Sequence, residues 1–376
     1  MAASTLTEVA RLAGVSPATA SRVLNGSARK PGQDIADRVR EAAESLGYIP
    51  NAQAQGLAKS SSGLIGLIVH DIADPYFSAI ARGVQDAARE QNKMVLLATT
   101  AGGPADEQQA VAAFAARRAD SIVIAGSRSS RSEDQESNVE LAAELDRYCR
   151  NGGQVGVVGH AIVGAGVTAG YHVVAVPNEE LASGLARELA ALHTGRFAII
   201  GGPEGLFTSD DRIRGFQRGL AESGRTAAEV LRSGFNRAGG YEAGLALAGR
   251  INAEKTGSGR PAAGSDAGGP DTGGAEARNA ARLCIFAAND VMAIGAAAAL
   301  RSEGLRIPRD ALIAGFDDIE TLRDFRPALS TVRLPLEEIG RLATRSSASP
   351  GTDDDGVPPA TVAGQVTLRR STEPAS

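Results

Sequence analysis

The sequence predicts an α/β chain in which a small three-helix head is joined by a short hinge to a larger body of parallel sheets. Three observations carry that expectation. Residues 5–25 hold two helical patterns with a sharp turn between them. From Gly63 onward, short apolar runs alternate with helical patterns. Between these lies a polar stretch, residues 51–62, that ends in Ser60, Ser61 and Ser62.

The head follows from local rules. Thr5 and Glu8 have the capping-box spacing that starts a helix. Leu6, Val9, Ala10 and Ala13 then recur on one face. Gly14 stops that helix, because glycine accepts the left-handed backbone a stop requires. Ser16 caps a second helix, and Pro17 sits in its first turn, where a missing N–H costs nothing. Ala20, Val23 and Leu24 form its buried side. Asp34 is read as the cap of a third helix running to Leu46, with Ile35, Val39, Ala42 and Leu46 inward. Tyr48 and Ile49 are expected to fold back on this core.

Two helices with such a turn form a helix-turn-helix, whose second helix can lie in a DNA major groove. Pro17, Ala18, Thr19, Ser21, Arg22 and Asn25 remain for the outward side. Arg22 is the long donor there and can fork onto a guanine edge. Ser16, Thr19, Ser21 and Asn25 are short hydrogen-bonding groups suited to phosphates, which fix register without reading sequence. An ordinary helical hairpin has the same spacing. Arg29 and Lys30 follow in a loop and can meet phosphate or simply be solvated.

The body begins at Gly63. Residues 64–69, 94–98, 121–125, 154–158, 173–176, 197–200, 283–287 and 311–314 read as strands. Helical patterns at 77–91, 107–117, 179–191, 212–222, 241–252 and 291–302 separate most of them. Short apolar strands alternating with helices imply parallel sheets covered on both faces. So many units suit two α/β subdomains with a cleft between them. Residues 253–280 and 346–359 break the pattern. Both are rich in small and polar residues without an apolar face, and read as disordered inserts. A last strand at 366–369 is expected to return to the second subdomain.

Composition narrows the function. The chain has 376 residues, is 43% hydrophobic and carries a net charge of −5. It has no apolar run long enough for a membrane span. Its first residues lack the pattern of a secretion signal, so a cytoplasmic, nucleoid-associated protein is expected. Two cysteines, Cys149 and Cys284, make neither a disulfide framework nor a metal site. The first sixty residues are richer in Arg and Lys than in Asp and Glu, against the acidic whole, which suits a DNA-binding head. No Gly-x-Ser-x-Gly turn nominates a hydrolase. The Gly201-Gly202-Pro203 loop lacks the Gly-Lys-Ser/Thr ending of a phosphate loop. No cofactor, metal or enzymatic activity is expected.

In open parallel sheets, ligands bind beyond the carboxyl ends of the strands. That rule selects residues 71–77, Ser127 and Arg128, Gly159 and His160, residues 207–212, Asn289 and Asp290, and Asp317 and Asp318. Such a set of aromatics, arginine, amide and carboxylates suits a polar small molecule. Arg212 can pair with a ligand or with Asp211. His160 is read as a structural hydrogen-bonder.

The run LTEVARLAGVSPATASRVLNG, followed by LGYIPNAQAQGLA and GLIGLIVHDIADPYF, resembles the N-terminus of the lactose/galactose repressor family of bacterial transcription regulators. The likeness continues in patches to the C-terminus. It implies a helix-turn-helix domain over residues 1–50, a hinge helix and linker over 51–62, and a periplasmic-binding-protein-like core over 63–376. The chain is then expected to cross between subdomains near Ala169, near Arg333 and around Arg345. The resemblance further implies that Thr5 joins the DNA contacts. It also implies that Ala54 and Leu57 belong to a hinge that orders on DNA, Leu57 wedging into the minor groove. For the cleft it implies effector contacts from Asp71, Tyr76, Phe77, Arg212 (registered by Gly215-Phe216), Phe235, Asn289 and Asp317.

The function expected is a homodimeric, sequence-specific repressor. Its partners are operator double-stranded DNA and a small polar effector, a sugar or related metabolite. A transporter-feeding solute-binding protein fits the body but not the helix-turn-helix. A sugar-processing enzyme lacks a catalytic constellation.

Overall fold

A computed structural model describes residues 4–25, 31–49, 61–100, 102–166, 169–226, 228–257, 282–346 and 360–373. The chain divides into two compact units, residues 1–64 with 117–120, and residues 65–116 with 121–376.

The first unit holds α1 (Leu6–Ala13), α2 (Pro17–Asn25) and α3 (Gln33–Ser45). Thr5 and Glu8 form the reciprocal capping box at the start of α1. Gly14 ends it at φ +65°. Ser16 Oγ accepts the Thr19 N–H at 3.1 Å and starts α2. Val9, Ala10, Ala13, Ala20, Val39, Ala42 and Ala43 make the core, with Tyr48 packed against it. Two expectations fail here. Gly32, not Asp34, caps α3, and Asp34 lies in its first turn, where its charge still favours the helix dipole. Ile49 does not fold back and is 85% exposed. Arg29, Lys30, Ala54 and Leu57 lie outside the described residues.

Among the described residues the second unit contains two larger sheets and a two-stranded ribbon. The first has the order β11-β5-β4-β3-β1-β2, from β1 (Leu64–Val69), β2 (Met94–Thr99), β3 (Ser121–Ala125), β4 (Gln154–Val158), β5 (Tyr171–Ala175) and β11 (Ala360–Thr361). Ile80 and Val84 of α4 (Pro75–Glu90) and Ile339 and Ala343 of α11 (Leu336–Ser346) join Leu67 and Val123 in one core. On the other face α5 (Pro104–Ala116) presses so closely that a Cβ at Gly66 would lie 2.3 Å from the Phe114 ring. Between β3 and β4 runs α6 (Gln135–Arg150), which the sequence reading does not contain. Its inward side includes Asn138 and Glu144, and that interrupts the apolar period.

The second sheet has the order β7-β6-β8-β9, from β6 (Arg196–Gly201), β7 (Glu229–Arg232), β8 (Leu283–Ala287) and β9 (Ala311–Ala314), all parallel. It is flanked by α7 (Asn178–Leu192), α8 (Phe207–Glu222), α9 (Arg237–Gly257) and α10 (Asp290–Ser302). Phe216 of α8 stacks on Phe286 of β8, ring centroids 4.4 Å apart. A ribbon pairs β10 (Thr331–Arg333) antiparallel to β12 (Gln365–Thr367).

The crossings differ from expectation at two of three places. β5 pairs in register with β4, Val158 beside Val174, so the chain leaves the first subdomain at 176–177 rather than near Ala169. The crossing near Arg333 stands, since β10 belongs to the second subdomain's ribbon and α11 packs on α4. The last follows β11, which pairs with β5, and falls at 362–364 rather than at Arg345. An apolar strand reads the same whichever sheet it joins, so residue type alone leaves these junctions undetermined. The expected insert 253–280 also begins late. Residues 253–257 complete α9, where Glu254 meets Arg196 and Lys255 meets Asp310 at 2.7 Å. Residues 258–281 and 347–359 lie outside the described residues. No described helix is long and apolar enough to cross a membrane.

Candidate functional site

In the head, Ser16, Pro17, Ala18 and Arg22 are exposed, and Thr19, Ser21 and Asn25 half-buried. The short polar groups already pair among themselves. The Ser16 and Thr19 hydroxyls lie 2.9 Å apart, and Asn25 Nδ2 donates to Ser21 Oγ at 2.9 Å. These bonds hold the side chains in place on α2, and each hydroxyl keeps unused hydrogen-bonding capacity. Thr5 is both exposed and the cap of α1. Arg38 of α3 donates to the Ala13 and Gly14 carbonyls and so fixes the turn between α1 and α2.

In the body, one cleft of about 520 Å³ lies between the two sheets' subdomains. Asp71, Tyr76, Phe77, Arg212, Phe235, Asn289 and Asp317 all line it. Seven residues drawn from four strand ends and two helix starts therefore converge, as the strand-end rule requires.

Its floor in the second subdomain is a buried polar assembly. Arg212 Nη2 donates to Asp317 Oδ1 at 2.8 Å, Nη1 to the Ala288 carbonyl at 2.7 Å and Nε to Asn178 Oδ1 at 2.9 Å. The guanidinium also lies 3.9 Å over the Phe316 ring. Arg212 and Asp317 are 2% and 4% exposed, so their pairing is intramolecular and the Asp211 alternative is excluded. Burial pushes the Asp317 carboxyl above the usual range, against the lowering pull of Arg212. Asp317 stands at φ +118° and Asp318 at φ +56°, backbone that non-glycine residues rarely adopt. Arg333 and Arg369 clamp Asp318 at 2.7 Å each. Beneath them, Asp290 accepts from Thr331 Oγ1 at 2.7 Å and from the Ile319 N–H at 3.0 Å, and burial pushes its carboxyl up to about 6. Asn289 caps α10 through the Met292 N–H at 2.8 Å, which aims its amide from a fixed base.

The first subdomain contributes Tyr76 and Phe77, ring centroids 5.0 Å apart and edge-on. Asp74 caps their helix through the Tyr76 N–H at 2.9 Å. Burial first, then the Asp317 charge, raises the Tyr76 phenol, so its O–H stays a donor. His70 lines the cleft 5.6 Å from Phe77 and 3.4 Å from Glu107. Glu107 forms a buried pair with Arg128, Oε1 to Nη2 at 2.7 Å. Burial opposes its charge, yet Arg128 and His70 hold the carboxyl at about 2.

Arg128, selected by the strand-end rule, points away into this pair instead of lining the cleft, and Arg131 lines it in its place. Asp74 and Thr208, inside the selected spans 71–77 and 207–212, do line the cleft, whereas reasoning from sequence misses His70, Thr100, Asn178 and Asn236. Asp74, in the span 71–77, carried a findable signal: an Asp just before Pro75 is a helix cap. His160 pairs with Asp211 at 2.6 Å across the subdomains, and the Phe207 N–H donates to the Arg128 carbonyl at 3.0 Å beside it. Among the described residues no group of His, Cys, Asp or Glu is arranged to hold a metal.

Residues 5–51 match bacterial regulatory proteins of the lacI family, and residues 62–248 match the periplasmic binding proteins and sugar binding domain of LacI family. Residues 186–372 match a periplasmic binding protein-like domain. The chain is 30% identical over 349 residues to the HTH-type transcriptional regulator GalS of Salmonella typhimurium, covering 90% of this chain and 88% of that one. It is 29% identical over 344 residues to the ribose operon repressor of Halalkalibacterium halodurans, covering 91% and 88%. The fold superposes on the lac repressor dimer bound to operator and the anti-inducer ONPF, with TM-score 0.73, 21% identity and coverage of 99% and 100%. A helix-turn-helix head, a two-subdomain body and sequence identity running through both therefore agree: this chain belongs to the LacI family of bacterial transcription regulators.

Proposed function

We propose that the protein is a homodimeric repressor that binds a near-palindromic operator and is controlled by a small polar effector, a sugar or related metabolite, in the cleft. One observation carries this reading: the same chain holds a helix-turn-helix whose second helix has an exposed polar face and a cleft whose two walls come from different subdomains. A ligand touching both walls binds one arrangement of the subdomains better than another, and only such differential affinity can shift their equilibrium. Coupling that shift to the DNA-binding heads changes operator affinity.

On DNA, Arg22 reads a base edge, and Thr5, Ser16, Pro17, Ala18, Thr19, Ser21 and Asn25 set register. Ala54 and Leu57 belong to the hinge, Leu57 entering the minor groove. In the cleft, Arg212, Asp317 and Asn289 bond ligand hydroxyls, Asp71 adds an acceptor, and Tyr76, Phe77 and Phe235 supply ring faces. The protein is a regulator rather than an enzyme, acting in the cytoplasm on the nucleoid. The name of one relative, a ribose operon repressor, favours a sugar. The test is operator titration of the full chain with and without a panel of sugars. A sugar that binds the protein and changes operator affinity supports the reading; a chain that ignores every operator in its own genome does not fit it.

A further inference from the structure

The charges around the cleft do not balance. Asp71, Asp74 and Asp317 all line it. Asp317 is matched by Arg212 at 2.8 Å. The other lining arginine, Arg131, is held by Glu133 at 2.9 Å and Asp134 at 3.2 Å. Among the described residues, no lysine or arginine pairs with Asp71 or Asp74. Among the described residues their carboxylates accept only local N–H groups, from Ala73 at 2.8 Å and Tyr76 at 2.9 Å. The three carboxylates also feel one another: Asp71 pushes Asp74 upward, and Asp74 pushes Asp317 upward, each adding to burial.

A second, independent feature points to what belongs there. Thr100 lines the cleft, is 7% exposed, and its Oγ1 has no hydrogen-bond partner among the described residues. A buried hydroxyl of this kind is satisfied by a ligand group that can donate or accept. Hydroxyls also suit unpaired carboxylates, since a hydrogen bond to a charged acceptor is stronger than a neutral one. A phosphate or carboxylate has no hydrogen to offer when ionised, and it meets like charge in a partly desolvated space.

We propose that the cleft takes an uncharged, hydroxyl-bearing ring compound and rejects its phosphorylated or carboxylated form, with Asp74 setting that preference. The inference rests on the reading of this cleft as the effector site and narrows its ligand class. Asp74 acts by charge from the wall of the cleft, and asparagine at that position retains the helix cap, because the two residues cap equally well.

The test is calorimetry on the full chain in physiological salt with matched sets: an aldose, its phosphate and its uronic acid, which keeps the ring, and a ribonucleoside with its 5′-monophosphate. The expected result is that the neutral member of the binding set is at least tenfold tighter than either anion. Asp74→Asn should narrow that ratio at least threefold, while the melting temperature confirms the cap. An anion that binds as tightly as its neutral counterpart overturns the proposal. So does an unchanged ratio in Asp74→Asn. A neutral ligand that binds by this rule yet leaves operator affinity unaltered sinks the effector reading and leaves the charge preference standing.

Discussion

Arg212 and Asp317 lie 105 positions apart in sequence and meet at 2.8 Å in the floor of the cleft, both nearly sealed from solvent. Desolvating two charges is expensive, and such a pair is tolerated only when its remaining groups are bonded. Arg212 meets that condition through Asn178 and Ala288.

Breaking this pair is therefore expected to do more than remove a ligand contact. Arg212→Ala or Asp317→Ala leaves its partner's charge buried and unmatched, a loss of about 3–5 kcal/mol in stability. Asp317→Asn keeps an acceptor for the guanidinium and should lose less. Chemical denaturation of the three variants checks the order; equal losses would mean that the charge of Asp317 is not what Arg212 requires.

Glu107 gives a pH dependence whose sign is fixed. Its folded carboxyl is held at about 2, below the ordinary 4.5, by Arg128 and His70 against the opposing effect of burial. A depressed carboxylate stabilises the fold above its unfolded pKa, and that stability is lost as pH falls through the folded one. The window is thus about pH 4.5 down to 2, and the contribution about 3 kcal/mol at neutral pH. Asp290, raised to about 6 by burial, acts in the opposite sense: its contribution to stability weakens as pH climbs through that value. Melting temperatures of Glu107→Gln and wild type should converge in acid. Curves that stay parallel from pH 6 to 3 would contradict the buried pair.

On DNA, Arg22→Ala should weaken operator binding by about 1–3 kcal/mol and relax the base preference in each half-site. Thr19→Ala should weaken binding to all sequences alike, although the Ser16 cap of α2 also loses its Thr19 hydroxyl neighbour. An operator-to-random affinity ratio unchanged by Arg22→Ala would remove Arg22 from base reading.

Helix α9 runs to Gly257, which separates two ways of shortening the insert. Replacing residues 258–281 with a short Gly-Ser loop should shift the melting temperature little, because closure entropy varies slowly with loop length. Cutting from 253 instead also removes Glu254 and Lys255, which meet Arg196 and Asp310, and should lower it further. A large drop from the shorter replacement would mean that residues 258–281 pack against the body.

How far the sequence reaches can be traced through individual residues. The head is legible because its signals are local: Thr5 with Glu8, Gly14 and Ser16 each act within one turn of helix. The limits are local too, since Gly32 pre-empts Asp34 as a cap through backbone geometry that composition does not reveal. In the body, apolar runs locate strands, but β5 shows that a run does not say which sheet it joins. The short strands β7, β10 and β11 carry too few residues to show a period. In the cleft, Asn289 and Asp317 are found by their places after strands. Arg128 satisfies the same rule and is misplaced, because its partner Glu107, in α5, draws it inward. His160 and Asp211 meet only through the apposition of the subdomains.

Occupancy of the cleft is expected to change operator binding. Fluorescence anisotropy of labelled operator, titrated with wild type and Asp317→Asn at saturating and zero effector, measures it directly. Wild type should change operator affinity at least fivefold with effector, the lower range of allosteric couplings. Asp317→Asn should bind operator as wild type does without effector and answer effector weakly or not at all. Equal responses from the two proteins would mean that the assembly around Arg212 and Asp317 does not transmit the signal.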